Sequence, residues 1–458
     1  MRMFNSKALI ICSVMLAATF ARSAQTPIYA NLHTFTGPDG ANPITELVQA
    51  SDGALYGVCV LGGTSNLGTM FRLNRDGSGF AVLHHFGVPG DGAGPEGLIE
   101  ASDGAFYGTT YQGGTSNFGT IFRYDKVTHN YVVLCSLSDS RNPYKGVIEG
   151  SDGALYGTTY NGGTYYGTVF KLNQDGSNFV RIYNFAPVDG LSPIAAVLEA
   201  SDGRLYGTTW EAGLHDGGTV YGLNKDGSNL QVLCNFGLGN MGTDPSNPYA
   251  GLSQGSDGAL YGTTVIGGST HAGTVFKVET NGTGLNVLHT FGSGYTDDGT
   301  NSYAGLFQGS DGILYGTTRR GGTSGAGVIF KLANDGAGYL VIYNFGSVAG
   351  DGQGPTAFPR EGADGALYGT TRDGGAGFGT VYRLTGPGRP LLSIRLSETN
   401  TASISWPSPA SEFHLEQNLD LAFPTWTPVG QTPANDGITK TVRVPLASTS
   451  TMYRLKSQ

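Results

Sequence analysis

The stretch Ser151 to Phe185, SDGALYGTTYNGGTYYGTVFKLNQDGSNFVRIYNF, constrains this chain more than any other, because near-copies of it fill most of the sequence. Each copy runs through an Asp-Gly turn, an apolar and aromatic run (Ala154 to Tyr160), a Gly-Gly loop and a second run (Thr168 to Leu172). A second Asp-Gly turn (Asp175-Gly176) and a third run (Phe179 to Phe185) complete it. Short runs rich in Tyr, Thr, Val and Phe, bounded by Asp-Gly and Gly-Gly, predict antiparallel strands joined by tight hairpins. The turn Asp recurs at Asp52, Asp103, Asp152, Asp202, Asp257, Asp311 and Asp364, at spacings of 51, 49, 50, 55, 54 and 53. Seven copies at that period point to an all-β, seven-bladed β-propeller rather than a short-period solenoid. Gly at 75 of 458 residues, with charged residues at 13%, fits such a turn-dense fold.

Each copy is expected to give four strands, labelled A to D from the start of the repeat. In the second copy these are Gly97 to Ala101, Ala105 to Thr110, Thr120 to Tyr124 and Tyr131 to Leu137. The seventh copy stops after its C strand at Val381 to Leu384, while an orphan D strand, Tyr29 to Phe35, precedes the first. That strand matches Leu83-His84-His85-Phe86 and Leu288-His289-Thr290-Phe291, so it is expected to complete the last blade and close the ring without a large open edge.

The recurring DG-LYGTT-GG-GTVF pattern, followed by a Leu-His-x-Phe strand, resembles the Gloeo-Verruco (GloVer) tandem repeat of secreted bacterial proteins over roughly 360 residues. The resemblance implies a repeat-built extracellular protein and transfers no catalytic residues. Kelch repeats are a looser match, sharing the Gly-Gly and the period but lacking the patterned Trp.

The ends of the chain differ from the repeats. Arg2 and Lys7 precede the apolar run Ala8 to Phe20, and Ala21-Arg22-Ser23-Ala24 offers small residues for cleavage. Residues 1–24 therefore read as a bacterial-type signal peptide; the alternative, a retained anchor, meets an apolar run shorter than the ~20 residues a span needs. Leu9-Ile10-Ile11-Cys12 resembles a lipoprotein box only faintly, because Ile11 is bulky. The propeller is expected over 25–386. Beyond the linker Thr385-Gly386-Pro387-Gly388-Arg389-Pro390, alternation in Leu392/Ile394/Leu396, Ala402/Ile404/Trp406 and Phe413/Leu415 marks short strands, with further runs at Thr439 to Val444 and Thr451 to Leu455. Residues 387–458 resemble a small fibronectin-III or immunoglobulin-like β-sandwich, and Met452 to Leu455 resembles the ending of modules that close many secreted proteins.

Without the signal peptide, Cys59, Cys135 and Cys234 remain, an odd number that excludes a fully paired disulfide framework. Cys135 and Cys234 occupy the D-strand slot held elsewhere by His33, His84, Tyr183, His289 and Tyr343, which predicts buried packing. The net charge of -9 and pI near 5.3 argue against nucleic acid or an anionic membrane as the main partner. No apolar run after the signal peptide is long enough to span a bilayer, and the mature chain is expected to be a monomer.

The Asp-Gly pairs of the A-to-B turn (Asp52-Gly53 and its copies) and of the C-to-D turn (Asp76-Gly77, Asp175-Gly176, Asp226-Gly227, Asp335-Gly336) predict type I′ turns. No copy supplies the ligand pattern of an EF-hand. Tyr56, Tyr107, Tyr156, Tyr206, Tyr261, Tyr315 and Tyr368 precede a Gly in every B strand and read as packing between blades.

Function is sought on the other face. The B-to-C and D-to-A loops vary in length and residue type, and variable loops on a rigid scaffold are where binding sits. At the end of strand B the copies carry Val60, Tyr111, Tyr160, Trp210, Val265, Arg319 and Arg372. The next residues are Leu61, Gln112, Asn161, Glu211, Ile266, Arg320 and Asp373. An aromatic arc beside a charged arc suits an extracellular glycan or protein, so Tyr111, Tyr160, Trp210, Glu211, Arg319, Arg372 and Asp373 are the expected ligand-binding residues; the alternative is ordinary surface variation.

Every D-to-A loop also holds an acid: Asp39, Asp91, Asp139, Asp189, Asp244, Asp297 with Asp298, and Asp351. These read as turn residues; a divalent cation such as calcium at this mouth is the alternative, and no other cofactor is expected. No HExxH, GxSxG or P-loop is present and no catalytic residue is assigned. Glu211 with Asp373 is the candidate acid/base pair should the protein instead be a propeller glycosidase or polysaccharide lyase.

Overall fold

The computed structural model describes residues 27–386 apart from 164, 238–243 and 293–296, and, further on, 393–397, 401–407, 413–418, 427–435, 439–445 and 452–457. The expected signal peptide and the linker prolines Pro387 and Pro390 lie outside the described residues. Every described element is a β-strand, and seven four-stranded antiparallel sheets follow one another in the order of the repeats. The chain is a seven-bladed propeller, and a compact unit comprises Ile28–Gln308 and Ile313–Thr385.

Blade two shows the plan: Gly92–Glu100, Phe106–Gly113, Thr120–Asp125 and Asn130–Ser136 pair in sequence. Its A strand begins earlier than expected, because the D-to-A loop is itself paired, Gly92 opposite Gly113. The missing strand of blade seven comes from the N-terminus as expected. Ile28–Thr34 runs antiparallel to Thr380–Thr385, with Tyr29 opposite Leu384 and His33 opposite Val381. Phe35, at the end of that strand, is fully buried against Phe71 of blade one.

Alternation along the B strand explains why there is no single core. In the LYGTT run of blade three, Leu155 packs with Ala105, Tyr107 and Ile121 of blade two. Its neighbour Tyr156 points the opposite way and packs with Val197, Leu205 and Tyr221 of blade four. Period-2 alternation thus buries both faces of each sheet, and such clusters fill all seven blade junctions, including the closing one, where Phe35 and Val381 meet Leu47 and Phe71. The Gly between Tyr and Thr is required by its own sheet: a Cβ on Gly157 would stand 2.5 Å from the Phe170 ring. Cys59, Cys135 and Cys234 are free thiols inside these clusters. Burial raises all three thiols, that of Cys234 to about 12.

The turns correct one expectation. Type I′ needs positive φ at both central residues, yet only the Gly is left-handed, Gly53 at φ 82° and Gly77 at φ 86°, while Asp52 and Asp76 are not. The Gly53 N–H bonds the Ala50 carbonyl and the Ala50 N–H bonds Ala54, which is a type I turn closed by a left-handed glycine. The Asp carboxylate explains the choice. In this conformation Asp52 accepts the Ala54 N–H at 3.0 Å and the Tyr56 hydroxyl at 2.8 Å, and the same Tyr–Asp bond recurs in blades two to five and seven. On this face each blade also grips the one before it. Ser51 donates to Glu100, Ser102 to Glu149, Ser151 to Glu199, Ser201 to Gln254 and Ser256 to Gln308.

The described tail residues form two small antiparallel sheets. One joins Ser393–Ser397, Thr401–Pro407, Thr439–Pro445 and Ala434–Asn435; the other joins Thr427–Pro428, Phe413–Asn418 and Met452–Ser457.

Candidate functional site

On the opposite face, the D-to-A loop of each blade pairs with that blade's own B-to-C loop. The pairs include Ser140 with Gly162, Gly299 with Gly321 and Gly352 with Gly374, and bridges join Ala41 to Leu61, Leu191 to Glu211 and Ser246 to Ile266. The variable loops therefore form a paired collar. One or two residues beyond the first partner in each loop, the chain takes a left-handed residue before entering strand A: Asn42, Gly94, Asn142, Ser192, Asn247, Asn301 or Gly354, with φ between 54° and 63°. Asn and Gly tolerate this region at least cost. The bend aims each N–H at the preceding blade: Asn142 at the Phe118 carbonyl (2.8 Å), Asn247 at Gly217 (2.7 Å), Asn42 at Phe378 (2.9 Å). The Asn side chains reach the same neighbour, Asn142 Nδ2 bonding the Tyr111 carbonyl and Asn247 Nδ2 the Trp210 carbonyl, both at 2.9 Å. This clasp fixes the backbone of the strand-end arc.

The A strands converge at the centre of the ring: a Cβ on Gly305 would stand 2.9 Å from the Gly251 carbonyl, and one on Gly97 would strike the Gly146 backbone. Tyr144, Tyr249 and Tyr303, two residues past the left-handed position, carry rings into the collar. The Tyr249 hydroxyl donates to that of Tyr144 at 2.6 Å, joining blades three and five. Tyr111 meets Tyr144 edge-on at 5.6 Å and Tyr160 lies 6.3 Å from it. Trp210 meets Tyr249 edge-on at 5.4 Å, Tyr249 meets Tyr303 at 4.9 Å, and the Arg319 guanidinium lies 5.4 Å from the Tyr303 centroid. All six rings are half-buried. Burial raises the Tyr144 and Tyr249 hydroxyls, so both stay protonated and neutral.

Of the seven expected site residues, Tyr111, Tyr160, Trp210 and Arg319 are thus linked through three tyrosines that the strand-end pattern does not reveal. Asp373 stands beside them: its Oδ2 and the Arg319 stem flank Gly354, 3.4 and 3.7 Å from where a Cβ would lie. Arg372 is half-buried and held by its N–H to the Gly354 carbonyl. Glu211 is exposed on the rim and accepts the Ser192 hydroxyl at 3.3 Å. Glu211 and Asp373 stand on blades four and seven, each paired with its own loop, and no contact joins them.

Glu96 and Lys145 were also hidden. Glu96 is 4% exposed and its Oε2 has no hydrogen-bond partner. Burial lifts its carboxyl from 4.5 to about 8, against the attraction of Lys145, which is itself 9% exposed. Glu96, when ionised, also helps raise the Tyr111, Tyr144 and Tyr249 hydroxyls, so it lies within electrostatic reach of the aromatic cluster. Glu96 arises at an irregularity. Blade two is one residue shorter between Pro95 and Asp103 than blade three between Pro143 and Asp152, and its A strand shifts register between Pro95 and Gly97.

The loop acids serve their own blades. His33 shares a hydrogen bond with Asp39 (3.0 Å), His84 with Asp91 (2.8 Å) and His289 with Asp298 (3.2 Å), while Tyr183 donates to Asp189 (2.8 Å) and Tyr343 to Asp351 (2.9 Å). Burial pushes the Asp91 and Asp298 carboxyls up, but bonds from the histidine and backbone N–H groups, joined at Asp298 by the Tyr339 hydroxyl, outweigh it and leave both below the usual carboxylate range. Where Cys135 fills the slot, Asp139 has no such partner and its side chain is 79% exposed. Among the described residues, no three His, Cys, Asp or Glu side chains gather closely enough to hold one metal ion. A cleft of about 200 Å³ opens on the turn face between blades one and two, where Asp52 and Tyr56 are already bonded to each other.

Fold and repeat together define a propeller of tandem 50-residue modules with an aromatic mouth on its loop face. The Gloeobacter/Verrucomicrobia repeat matches residues 18–142, 126–297 and 237–405, and the chain belongs to this repeat family. No curated protein matches it. Among solved structures, it resembles the extracellular domain assigned to a hybrid two-component system of B. thetaiotaomicron, with TM-score 0.53 and 10% identity over 83% of this chain. This chain spans 45% of that protein. It also resembles an oligogalacturonate lyase from Vibrio parahaemolyticus, with TM-score 0.51 and 14% identity over 78% of this chain and 96% of that one. At such identities the likeness is one of fold.

Proposed function

We propose that the protein is an exported binding module that takes a glycan or a peptide on the loop-rich face of its propeller, outside the cell or at its surface. The observation that carries this reading is the linked group of half-buried rings, Tyr111, Tyr144, Tyr160, Trp210, Tyr249 and Tyr303, with Arg319 over the last. Rings offer large, stiff apolar area to the C–H face of a sugar or to a side chain, and polar groups beside them set orientation. The paired collar and Asn clasps hold these rings in place before any ligand arrives, which lowers the entropy cost of binding. Export is supported by the Arg2, Lys7 and Ala8 to Phe20 pattern and by the extracellular domain among its structural neighbours. The two tail sheets are read as a fibronectin-III-like sandwich appended to the propeller.

The test is binding to immobilised extracellular polysaccharides and peptides by the wild type and by Trp210→Ala. Loss of a central ring should weaken binding by about 1–3 kcal/mol while the melting temperature barely moves. A variant that melts far earlier yet binds unchanged would reduce the ring group to blade packing.

A second reading, a glycosidase or polysaccharide lyase, is favoured by Glu96, whose carboxyl at about 8 keeps a proton at neutral pH as a general acid must. Release of products from a polysaccharide, abolished in Glu96→Gln, would decide for it.

A further inference from the structure

Beneath the rings, three features call for different chemistry. The Lys145 ammonium is carried on a side chain 9% exposed, and among the described residues it makes no hydrogen bond or ion pair. Its electrostatic neighbour is Glu96, yet the two do not form an ion pair. Glu96 in turn keeps Oε2 buried and unbonded. An unbonded buried carboxyl oxygen carries a desolvation cost that a ligand hydroxyl would relieve, and an ammonium without a bonded partner is open to an anion. At the rim, Arg319 lies over Tyr303, and neither it nor Arg372 forms an ion pair among the described residues. In a chain of net charge -9, this mouth gathers cations that lack acidic partners.

We infer that the ligand of this mouth is a carboxylated sugar, a uronate unit within an acidic polysaccharide, with its carboxylate on Lys145, a hydroxyl on Glu96 and its C–H face against the Tyr and Trp rings. The inference rests on the binding reading above and narrows it. One sugar acid meets all three needs at once: an anion for the ammonium, a hydroxyl for the orphaned carboxyl, and an apolar face for the rings. A neutral sugar leaves Lys145 unpaired. An acidic peptide pairs it but offers no rigid C–H face. Glu96 suits this role in its protonated form, because an ionised Glu96 would compete for Lys145 and repel the carboxylate; Lys145, Tyr111, Tyr144 and Tyr249 are the titratable groups that face it.

The experiment is calorimetric titration of the full chain with short oligouronates and with their carboxyl-reduced, neutral counterparts. The acidic form should bind tighter by roughly 10- to 100-fold, the range a charge-assisted hydrogen bond provides. Lys145→Met should erase that preference while melting no earlier than the wild type, since Met keeps the apolar stem of the side chain. Binding of the oligouronate should fall as pH rises through about 8, and Glu96→Gln should flatten that fall. Equal affinity for acidic and neutral sugars, or an unchanged preference in Lys145→Met, overturns the inference and leaves the binding module standing. Capture of acidic peptides but no sugar also overturns it. If nothing binds and Trp210→Ala changes only stability, the binding reading itself falls.

Discussion

Replacing Glu96 by Gln should make the propeller less sensitive to alkali, and the size of the effect follows from its surroundings. The carboxyl is 4% exposed with Oε2 unbonded, and burial raises it from 4.5 to about 8. The folded state thus keeps a proton that the unfolded chain gives up. Between about pH 4.5 and 8 the unfolded chain binds fewer protons than the folded one, so stability falls as pH rises through this window. A gap of about 3.5 pH units is about 5 kcal/mol at its full extent, and Gln, which has no proton to lose, should not show it. The assay is the melting temperature of the wild type and Glu96→Gln from pH 5 to 9. The wild type should fall behind the variant by several degrees at the upper end. Other groups titrate in this range, but they are shared by both proteins and cancel in the difference. Parallel curves would mean that Glu96 ionises as it does in water, and the picture of an orphaned buried carboxyl would be wrong.

Phe35→Ala should cost about 3–5 kcal/mol in denaturant unfolding, because the side chain is fully buried at the closing junction against Phe71; a loss below about 1 kcal/mol would deny that the N-terminal strand closes the ring. Asn142 at φ 59° supports the loop of its neighbour through Nδ2, so Asn142→Ala should cost about 2 kcal/mol and Asn142→Gly about half of that, with denaturation midpoints in that order. The opposite order would remove the conformational argument. Asp91 and Asp298 are held below the usual carboxylate range, so the stability they contribute is complete above about pH 4 and is lost as pH falls through their folded values. Asp91→Asn should therefore be destabilised at pH 7 and lose less than the wild type on acidification from pH 5 to 3, as read by melting temperature.

The fold was legible because its information is repetitive and local. The Asp spacing gave the blade count, and the truncated seventh copy with its orphan strand Tyr29 to Phe35 gave the closure. The turn type was not legible, since Asp-Gly suits both a type I′ turn and a type I turn ended by a left-handed glycine. What decides is the carboxylate, which bonds the N–H and Tyr hydroxyl that follow. The mouth was half legible. Trp210 and Tyr111 stand out after the Thr-Thr pair that six of the seven copies carry, but Tyr144 and Tyr249 lie 105 residues apart and follow a proline, where a linear reading sees only the end of a loop. The signal was present in Pro143-Tyr144 and Pro248-Tyr249, aligned with Pro43-Ile44 and Pro193-Ile194: a slot that enters strand A and varies from copy to copy.

A chain built of seven copies carries its own controls for the proposed mouth. At the position after the aromatic slot, blades one and four to seven place Thr45, Ala195, Ala250, Ala304 and Ala357, all small and buried. All five offer their carbonyl to a B-strand threonine of the previous blade: Thr158 donates to Ala195, Thr208 to Ala250, Thr263 to Ala304, Thr317 to Ala357 and Thr370 to Thr45. Blade three places Lys145 there, and the corresponding Thr109 hydroxyl of blade two is buried without a partner. Lys145 therefore stands in a slot that the other blades fill with a small residue, and its neighbour is the buried carboxyl of Glu96, in the blade that is a residue short. Restoring the repeat pattern with Lys145→Ala should leave the melting temperature at pH 7 no lower than that of the wild type, and the function proposed for this mouth requires that it weaken ligand binding in the same protein.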